Sequence, residues 1–192
     1  MGCCHSRNSG GVDNAIVMSK NPYNSMAYPS IEEMIKKNLS QTEGYIPKLT
    51  RGFVAKVYDG DSITILSYNE DIPESKKVYK YSVRLNSIDC PEIRTKDETE
   101  KQFGQRAQKR LADLILHKYV RIKVLKFEKY GRLLAEVYVE TLPEAKAKKY
   151  GSVTISLDMS VSEWIMRNRY GVPYGGATKQ KFNSARLAPL DM

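Results

Sequence analysis

From Phe53 onward the chain adopts a period of two. Phe53, Ala55 and Val57 alternate with Val54, Lys56 and Tyr58, and Ile63 and Ile65 follow an Asp59-Gly60-Asp61 turn. Alternation of this kind puts successive side chains on opposite faces of a pleated strand, and the Asp-Gly step supplies hairpin turn chemistry. A helix cannot satisfy that pattern, so the fold must be built on paired strands. A polar stretch from Asn69 to Lys77 leads to a third β-rich run, Val78 to Ile88. Phe103, Ala107, Leu111, Leu114 and Ile115 then recur at helical spacing, which predicts a helix of about four turns. Two more strands are predicted, Tyr119 to Leu125 and Leu133 to Val139. The order βββ-α-ββ closes most simply as an α+β fold: a five-stranded OB-like Greek-key β-barrel with a helix between strands three and four. A strand at Val153 to Leu157 and a further helix from about Ser160 to Asn168 are expected after the barrel.

The flanks have a different character. Residues 1–29 are rich in Ser, Asn, Gly and Pro and lack a sustained apolar period, which is the composition of a flexible arm. Residues 30–49 are expected to form a short helical extension. Ser30 with Glu33 makes a capping box, and Ile31, Met34, Ile35 and Leu39 share a helical face. The folded domain is expected over residues 50–176, interrupted by a Lys/Ala-rich insertion at 141–157 and followed by an irregular tail at 177–192.

The net charge is +9. Only five Lys/Arg and four Asp/Glu fall in residues 1–50, so the excess is +1 there and +8 in the remainder. A basic domain of this kind favours polyanionic partners, nucleic acid or anionic lipid. The three cysteines are Cys3, Cys4 and Cys90, a spacing that draws neither a disulfide framework nor a zinc site. No apolar run is long enough to span a bilayer, so membrane contact is expected only through an anchor. Met1-Gly2-Cys3-Cys4-His5-Ser6 fits such an anchor, with Gly2 placed for myristoylation and Cys3 and Cys4 for palmitoylation. The expected location is the cytosolic face of a membrane, and otherwise the cytoplasm. No obligate protein partner is inferred.

Acidic residues gather where strands are predicted to end: Asp59 and Asp61 in the first turn, then Asp89 and Glu92 in Asp89-Cys90-Pro91-Glu92. Two carboxylates, a backbone carbonyl and waters suit a hard cation with open positions for a phosphate oxygen. A third carboxylate that is not a ligand could take the proton of an attacking water, and Glu92 is the candidate. Phosphoryl transfer builds charge on equatorial oxygens, which planar guanidinium groups meet; Arg84 and Arg132 suit that role. These three residues are expected at loops or rims, where substitution spares the fold.

Four blocks, in order, resemble the staphylococcal nuclease (thermonuclease) family. They are Val57-Tyr58-Asp59-Gly60-Asp61-Ser62, Val83-Arg84-Leu85-Asn86-Ser87-Ile88-Asp89-Cys90-Pro91-Glu92, Phe103-Gly104-Gln105-Arg106-Ala107 and Lys129-Tyr130-Gly131-Arg132-Leu133-Leu134-Ala135. A fifth, Val161 to Met166, looks like the family helix that follows the barrel. The resemblance implies that Asp61, Asp89 and the Cys90 carbonyl ligate one Ca2+, that Glu92 is the general base, and that Arg84 and Arg132 bind and stabilise the scissile phosphate. It implies hydrolysis of phosphodiester bonds in DNA and/or RNA with 3′-phosphate products. Lys129, Tyr130, Tyr170 and Tyr174 are the implied substrate contacts. Three features depart from the family pattern: Cys90 replaces a Thr, the insertion after the barrel is long, and no third helix closes the chain. The rival reading is a catalytically inactive OB-fold module that binds single-stranded nucleic acid or a protein ligand.

Overall fold

The alternation that begins at Phe53 builds the hairpin of β1 (Arg51–Val57) and β2 (Ser62–Tyr68) in the computed structural model, which describes residues 31–36, 44–128, 131–141, 155–176, 182–184 and Leu187. The alternation is not perfect. A register shift between Val54 and Lys56 marks a β-bulge at Ala55, so Val54 and Val57, three positions apart, both face the core and are buried. One extra residue inverts the phase of a strand, and Val57 therefore parts from the face of Phe53 that simple alternation assigns it.

The remaining strands close a barrel. β3 (Val78–Leu85) runs antiparallel to β2, β5 (Tyr119–Phe127) runs antiparallel to both β1 and β6 (Leu133–Val139), and β6 runs parallel to β3. The order around the barrel is β1-β2-β3-β6-β5. Helix α2 (Glu98–Ile115) lies between the third and fourth barrel strands in sequence, and α3 (Val161–Arg167) follows the barrel. This is the α+β architecture that the periodicity predicts. Inward residues from every strand fill the interior, among them Ile63, Ile65, Val83, Val120, Leu133 and Val137, and Leu111 and Ile115 of α2 cap it.

Three elements differ from expectation. The run from Val78 to Ile88 is broken at Asn86-Ser87, where Ser87 takes a left-handed backbone with φ of 64°. The chain turns there, and β4 (Ile88–Asp89) leaves the barrel to pair with β7 (Val172–Pro173). The long helix starts at Glu98, well before the apolar period, because Asp97 caps it by accepting from the N–H groups of Thr99 and Glu100. Ile155 is buried in the core, yet Ile155 to Leu157 is not strand; Val153 and Thr154 lie outside the described residues.

The chain divides into two units, Met1–Glu43 and Gly44–Met192. In the first, the described residues are helix α1 (Ile31–Lys36), whose Glu32 and Glu33 sit in the first turn and Lys36 in the last, in accord with the helix dipole. In the second, residues ahead of β1 join the barrel: Leu49 is buried, the Lys48 N–H donates to Asp71, and Thr50 donates to Glu70. Gly2, Cys3 and Cys4, most of the insertion, and Lys129 and Tyr130 lie outside the described residues. No helix among the described residues is long and apolar enough to cross a membrane.

Leu111 is fully buried where α2 seals the barrel. Leu111→Ala is expected to cost about 2–5 kcal/mol, the usual loss for a truncated core leucine. Urea denaturation of the full chain measures it.

Candidate active site

Three segments meet at one end of the barrel: the turn ahead of β2, the end of β3 and the start of the β4–β7 ladder. Each contributes one charge. Asp61 comes from the turn, Arg84 from β3 and Asp89 from β4. One guanidinium nitrogen, Arg84 Nη2, lies 3.1 Å from Asp61 Oδ2 and 3.1 Å from Asp89 Oδ1. Both acids are buried, at 5% and 7% exposure. Ser62 Oγ donates to Asp61 Oδ1 at 2.8 Å, and the Cys90 N–H donates to Asp61 Oδ2 at 3.4 Å. Burial disfavours the ionised carboxylate of Asp61 and pushes its pKa up to about 6, against the pull of Arg84 and with the repulsion of Asp59. Burial also works against the Arg84 charge, but Asp61 and Asp89 outweigh it and hold the guanidinium firmly protonated. Arg84 is thus a part-buried bridge between two acids, not the free rim residue that the sequence pattern implies.

Close packing fixes the loops around this pair. A Cβ at Gly60 would stand 2.7 Å from Cys90 Sγ and 2.9 Å from Ala107 Cβ, and one at Gly171 would stand 2.8 Å from Cys90 Sγ. The Cys90 side chain fits only because both positions lack side chains. Burial raises its thiol pKa well above the ordinary value, which suits a packing role and disables it as a nucleophile. Gly104, in the middle of α2, brings the helix against Pro91-Glu92: a Cβ there would stand 2.8 Å from the Pro91 carbonyl oxygen. The same helix holds the loops by hydrogen bonds. The Glu92 N–H donates to Glu100 Oε1 at 3.1 Å, and Gln108 Nε2 donates to the Tyr58 carbonyl at 2.7 Å. Glu100 and Gln108 escape a motif-based reading, because each acts on a backbone group. Ser62 closes the first family-like block, which gives it no role, and Glu100 leaves a trace at the capping-box distance from Asp97.

Beside the acid pair opens a cleft of about 570 Å3, whose wall includes Lys56, Asp59, Ser62, Glu92, Arg94 and Arg132. Glu92 and Arg132, predicted to act together, therefore share one cavity. Arg132 donates to Glu128 Oε2 at 3.4 Å, while its Nε is buried and has no hydrogen-bond partner among the described residues. Tyr174 is half-buried, with its ring 5.7 Å from the Arg84 guanidinium carbon. Tyr170 is not a substrate contact: it is 3% exposed and packs its ring 5.7 Å from Trp164 in the core. The helix α3 that carries Trp164 draws Tyr170 inward and leaves Tyr174 near the charges.

Among the described residues no group of three or more His, Cys, Asp or Glu side chains gathers as a metal cage. Asp61 and Asp89 nonetheless fit a hard cation. They are two buried oxygen donors whose charge already demands a positive partner, and the Cys90 backbone between them and Glu92 offers a carbonyl.

Residues 82–167, from β3 through α3, match the family model described as staphylococcal nuclease homologue. That stretch is similar to the staphylococcal nuclease family. The chain is 36% identical over 88 residues to a micrococcal nuclease of Shigella flexneri, an alignment covering 46% of this chain and 42% of that protein. It is 31% identical over 125 residues to a probable endonuclease of Schizosaccharomyces pombe, covering 58% of this chain and 54% of the relative. With endonuclease Htp3 of Saprolegnia parasitica it shares 30% identity over 139 residues, 66% of this chain and 60% of that protein. This chain thus spans about two fifths of the length of the Shigella relative. The matched stretch holds Arg84, Asp89, Glu92 and Arg132, while Asp59 and Asp61 precede it.

The raised pKa of Asp61 has a consequence for stability. Its folded pKa lies above the unfolded carboxyl value, so the folded state binds the proton more tightly. In metal-free protein, stability is therefore expected to fall as pH rises from about 4 to about 6. Asp61→Asn should flatten that slope, and denaturation midpoints across this range in chelator measure it.

Proposed function

We propose that this domain is a Ca2+-dependent endonuclease that hydrolyses phosphodiester bonds of DNA and/or RNA by metal-assisted attack of water, leaving 3′-phosphates. One observation carries the reading: two buried carboxylates from separate strands converge on a single arginine, beside a cleft whose wall holds Glu92 and Arg132. A structural ion pair has no need of an adjoining cavity furnished with a solvent-facing carboxylate and a second arginine. The nuclease names of the relatives support the same class.

Asp61, Asp89 and the Cys90 carbonyl would hold the ion, which when bound supplies Lewis-acid polarisation of the phosphodiester. Glu92 is exposed to the cleft and is fixed by its backbone bond to Glu100. There its carboxylate can accept the proton of an attacking water. Arg132 presents a buried Nε without a hydrogen-bond partner among the described residues, a donor that would gain one when a phosphate oxygen arrives. In a desolvated setting such a donor is worth more in the transition state, where oxygen charge peaks, than in the ground state. Arg84 supplies a second guanidinium at the acid pair, and Tyr174 flanks it.

Two expected outcomes test this reading. Single-stranded DNA and RNA should be cut with Ca2+ and poorly with Mg2+, whose demand for a near-ideal octahedron the irregular ligand set does not meet. Equal rates in the two ions would sink the calcium assignment. Glu92→Gln and Arg132→Ala should each lower kcat by about 10² or more while the thermal midpoint stays near wild type, since both line the cleft. Arg84→Ala should lose stability as well, because it strands two buried acids.

The amino-terminal motif adds a location. Lipids on Gly2 and on Cys3 or Cys4 are proposed to tether the domain to the cytosolic face of a membrane, one chain alone binding only reversibly. Fractionation of the full chain from eukaryotic cells should find it on membranes, and Gly2→Ala should release it. A wholly soluble wild type would dismiss the tether and leave the catalytic proposal standing.

A further inference from the structure

A second cleft, of about 480 Å3, opens at the far end of the β1–β2 hairpin, with Phe53, Leu66, Tyr68, Val78 and Tyr119 in its wall. The first cleft takes Lys56 and Ser62 from the near end of the same two strands. One face of the sheet joins them. Ile63, Ile65, Val83 and Leu85 are fully buried, so strand alternation puts Ser62, Thr64, Leu66 and Tyr68 on the opposite face of β2, the first two buried and the last two exposed, and on β3 the part-buried Arg84 with the exposed Ser82, Lys80 and Val78. The register lays these in rungs: Ser62 opposite Arg84, Thr64 opposite Ser82, Leu66 opposite Lys80, Tyr68 opposite Val78. The bulge in β1 sets Lys56 beside Thr64 while Phe53 stays beside Leu66. From Arg84 to Val78 the strand covers about 20 Å at the usual rise.

This outer face begins at the arginine assigned to the phosphate, carries the exposed cations Lys56 and Lys80 midway, and ends among aromatic rings. Tyr68 is 55% exposed and Tyr119 52%. The Tyr119 ring is fixed edge-on against Phe53 at 5.5 Å and lies under the Arg51 guanidinium at 4.2 Å. The acid in the wall, Glu70, is occupied by the N–H and hydroxyl of Thr50. Cations in line followed by accessible rings are what single-stranded nucleic acid requires: charges follow the backbone and rings stack bases with little regard to sequence. A lipid or apolar peptide would account for the aromatic cleft alone, and leave Lys56 and Lys80 in line with Arg84 unexplained.

We infer that the outer face of β1, β2 and β3 is an extended track for single-stranded nucleic acid. Lys56 and Lys80 meet phosphates on one side of the scissile bond, and the cleft of Phe53, Tyr68 and Tyr119 stacks a base several nucleotides away. The inference rests on the nuclease reading of the Arg84 end.

Steady-state cleavage of a trithymidylate and a dodecathymidylate by the full chain and by Tyr68→Ala, Tyr68→Phe and Lys80→Ala tests it. Tyr68→Ala and Lys80→Ala should each raise KM for the dodecamer by about tenfold, the loss expected for one stacked base or one phosphate contact. They should leave kcat and the trimer's KM unchanged, and Tyr68→Phe should retain the wild-type KM. An equal rise for both lengths, or none for the dodecamer, overturns the track. Fluorescence anisotropy of a labelled dodecamer in chelator reads binding without hydrolysis. An inactive wild type therefore refutes the nuclease reading, whereas absent wild-type binding, or unchanged affinity in Tyr68→Ala, refutes the track. Sedimentation with phosphatidylserine vesicles that falls in Tyr68→Ala while dodecamer affinity holds would assign the cleft to lipid and also overturn it.

Discussion

The paired contacts of Arg84 with Asp61 and Asp89, each 3.1 Å, set the terms for the rest of the structure. For a carboxylate as deeply buried as Asp61, desolvation favours the neutral form and the nearby Asp59 adds to that, while the guanidinium pulls the other way. The single guanidinium offsets that cost and in doing so ties together a hairpin turn, a barrel strand and the short ladder beyond it. A bridge of this kind contributes little net stability compared with an apolar core, yet removing one partner leaves a stranded charge. Its value lies in placement: it gathers two acids and an arginine at one point, where strands end.

Helix α2 is the second organiser, and it works from behind. Its apolar stripe of Ala107, Leu111, Leu114 and Ile115 seals the barrel. Its polar residues Glu100 and Gln108 take hold of the two loops that carry the acids. Gly104 costs helix propensity, by about 1 kcal/mol relative to alanine in an exposed helix interior, and in return lets the helix touch the Pro91-Glu92 backbone. Packing and the geometry of the candidate site therefore share one element. A substitution on the buried face of the helix would reach the cleft without facing it, whereas Gln108 lines the cleft directly.

Much of this was legible in the residues. The period of two from Phe53, the helical spacing from Phe103 and the order of elements give the barrel, since each follows from how a strand or helix must present its apolar side. The acids and arginines were legible because their chemistry constrains residue type. What escaped was set by tertiary contact. The bulge at Ala55 leaves no mark in a run of alternating residues, and Ser87 gives no hint that it will turn a strand out of the barrel. The part-burial of Arg84 depends on Asp61, distant in sequence, and on the turn that brings Asp89 back beside it. Tyr170 and Tyr174 look equivalent in sequence; only the packing of α3 decides that one joins Trp164 and the other the charges.

Cys90 lies sealed between two positions that have no side chain, Gly60 and Gly171, with its thiol held in the protonated form. An alkylating reagent can reach that sulfur only when the β4 segment parts from the first turn, and those are the segments that bear Asp89 and Asp61. Modification of this thiol therefore runs as a clock on the opening of the acid pair. Its rate, divided by that of an unhindered thiol, is an equilibrium constant for local unfolding. The chain carries an internal reporter on how often its two buried acids come apart.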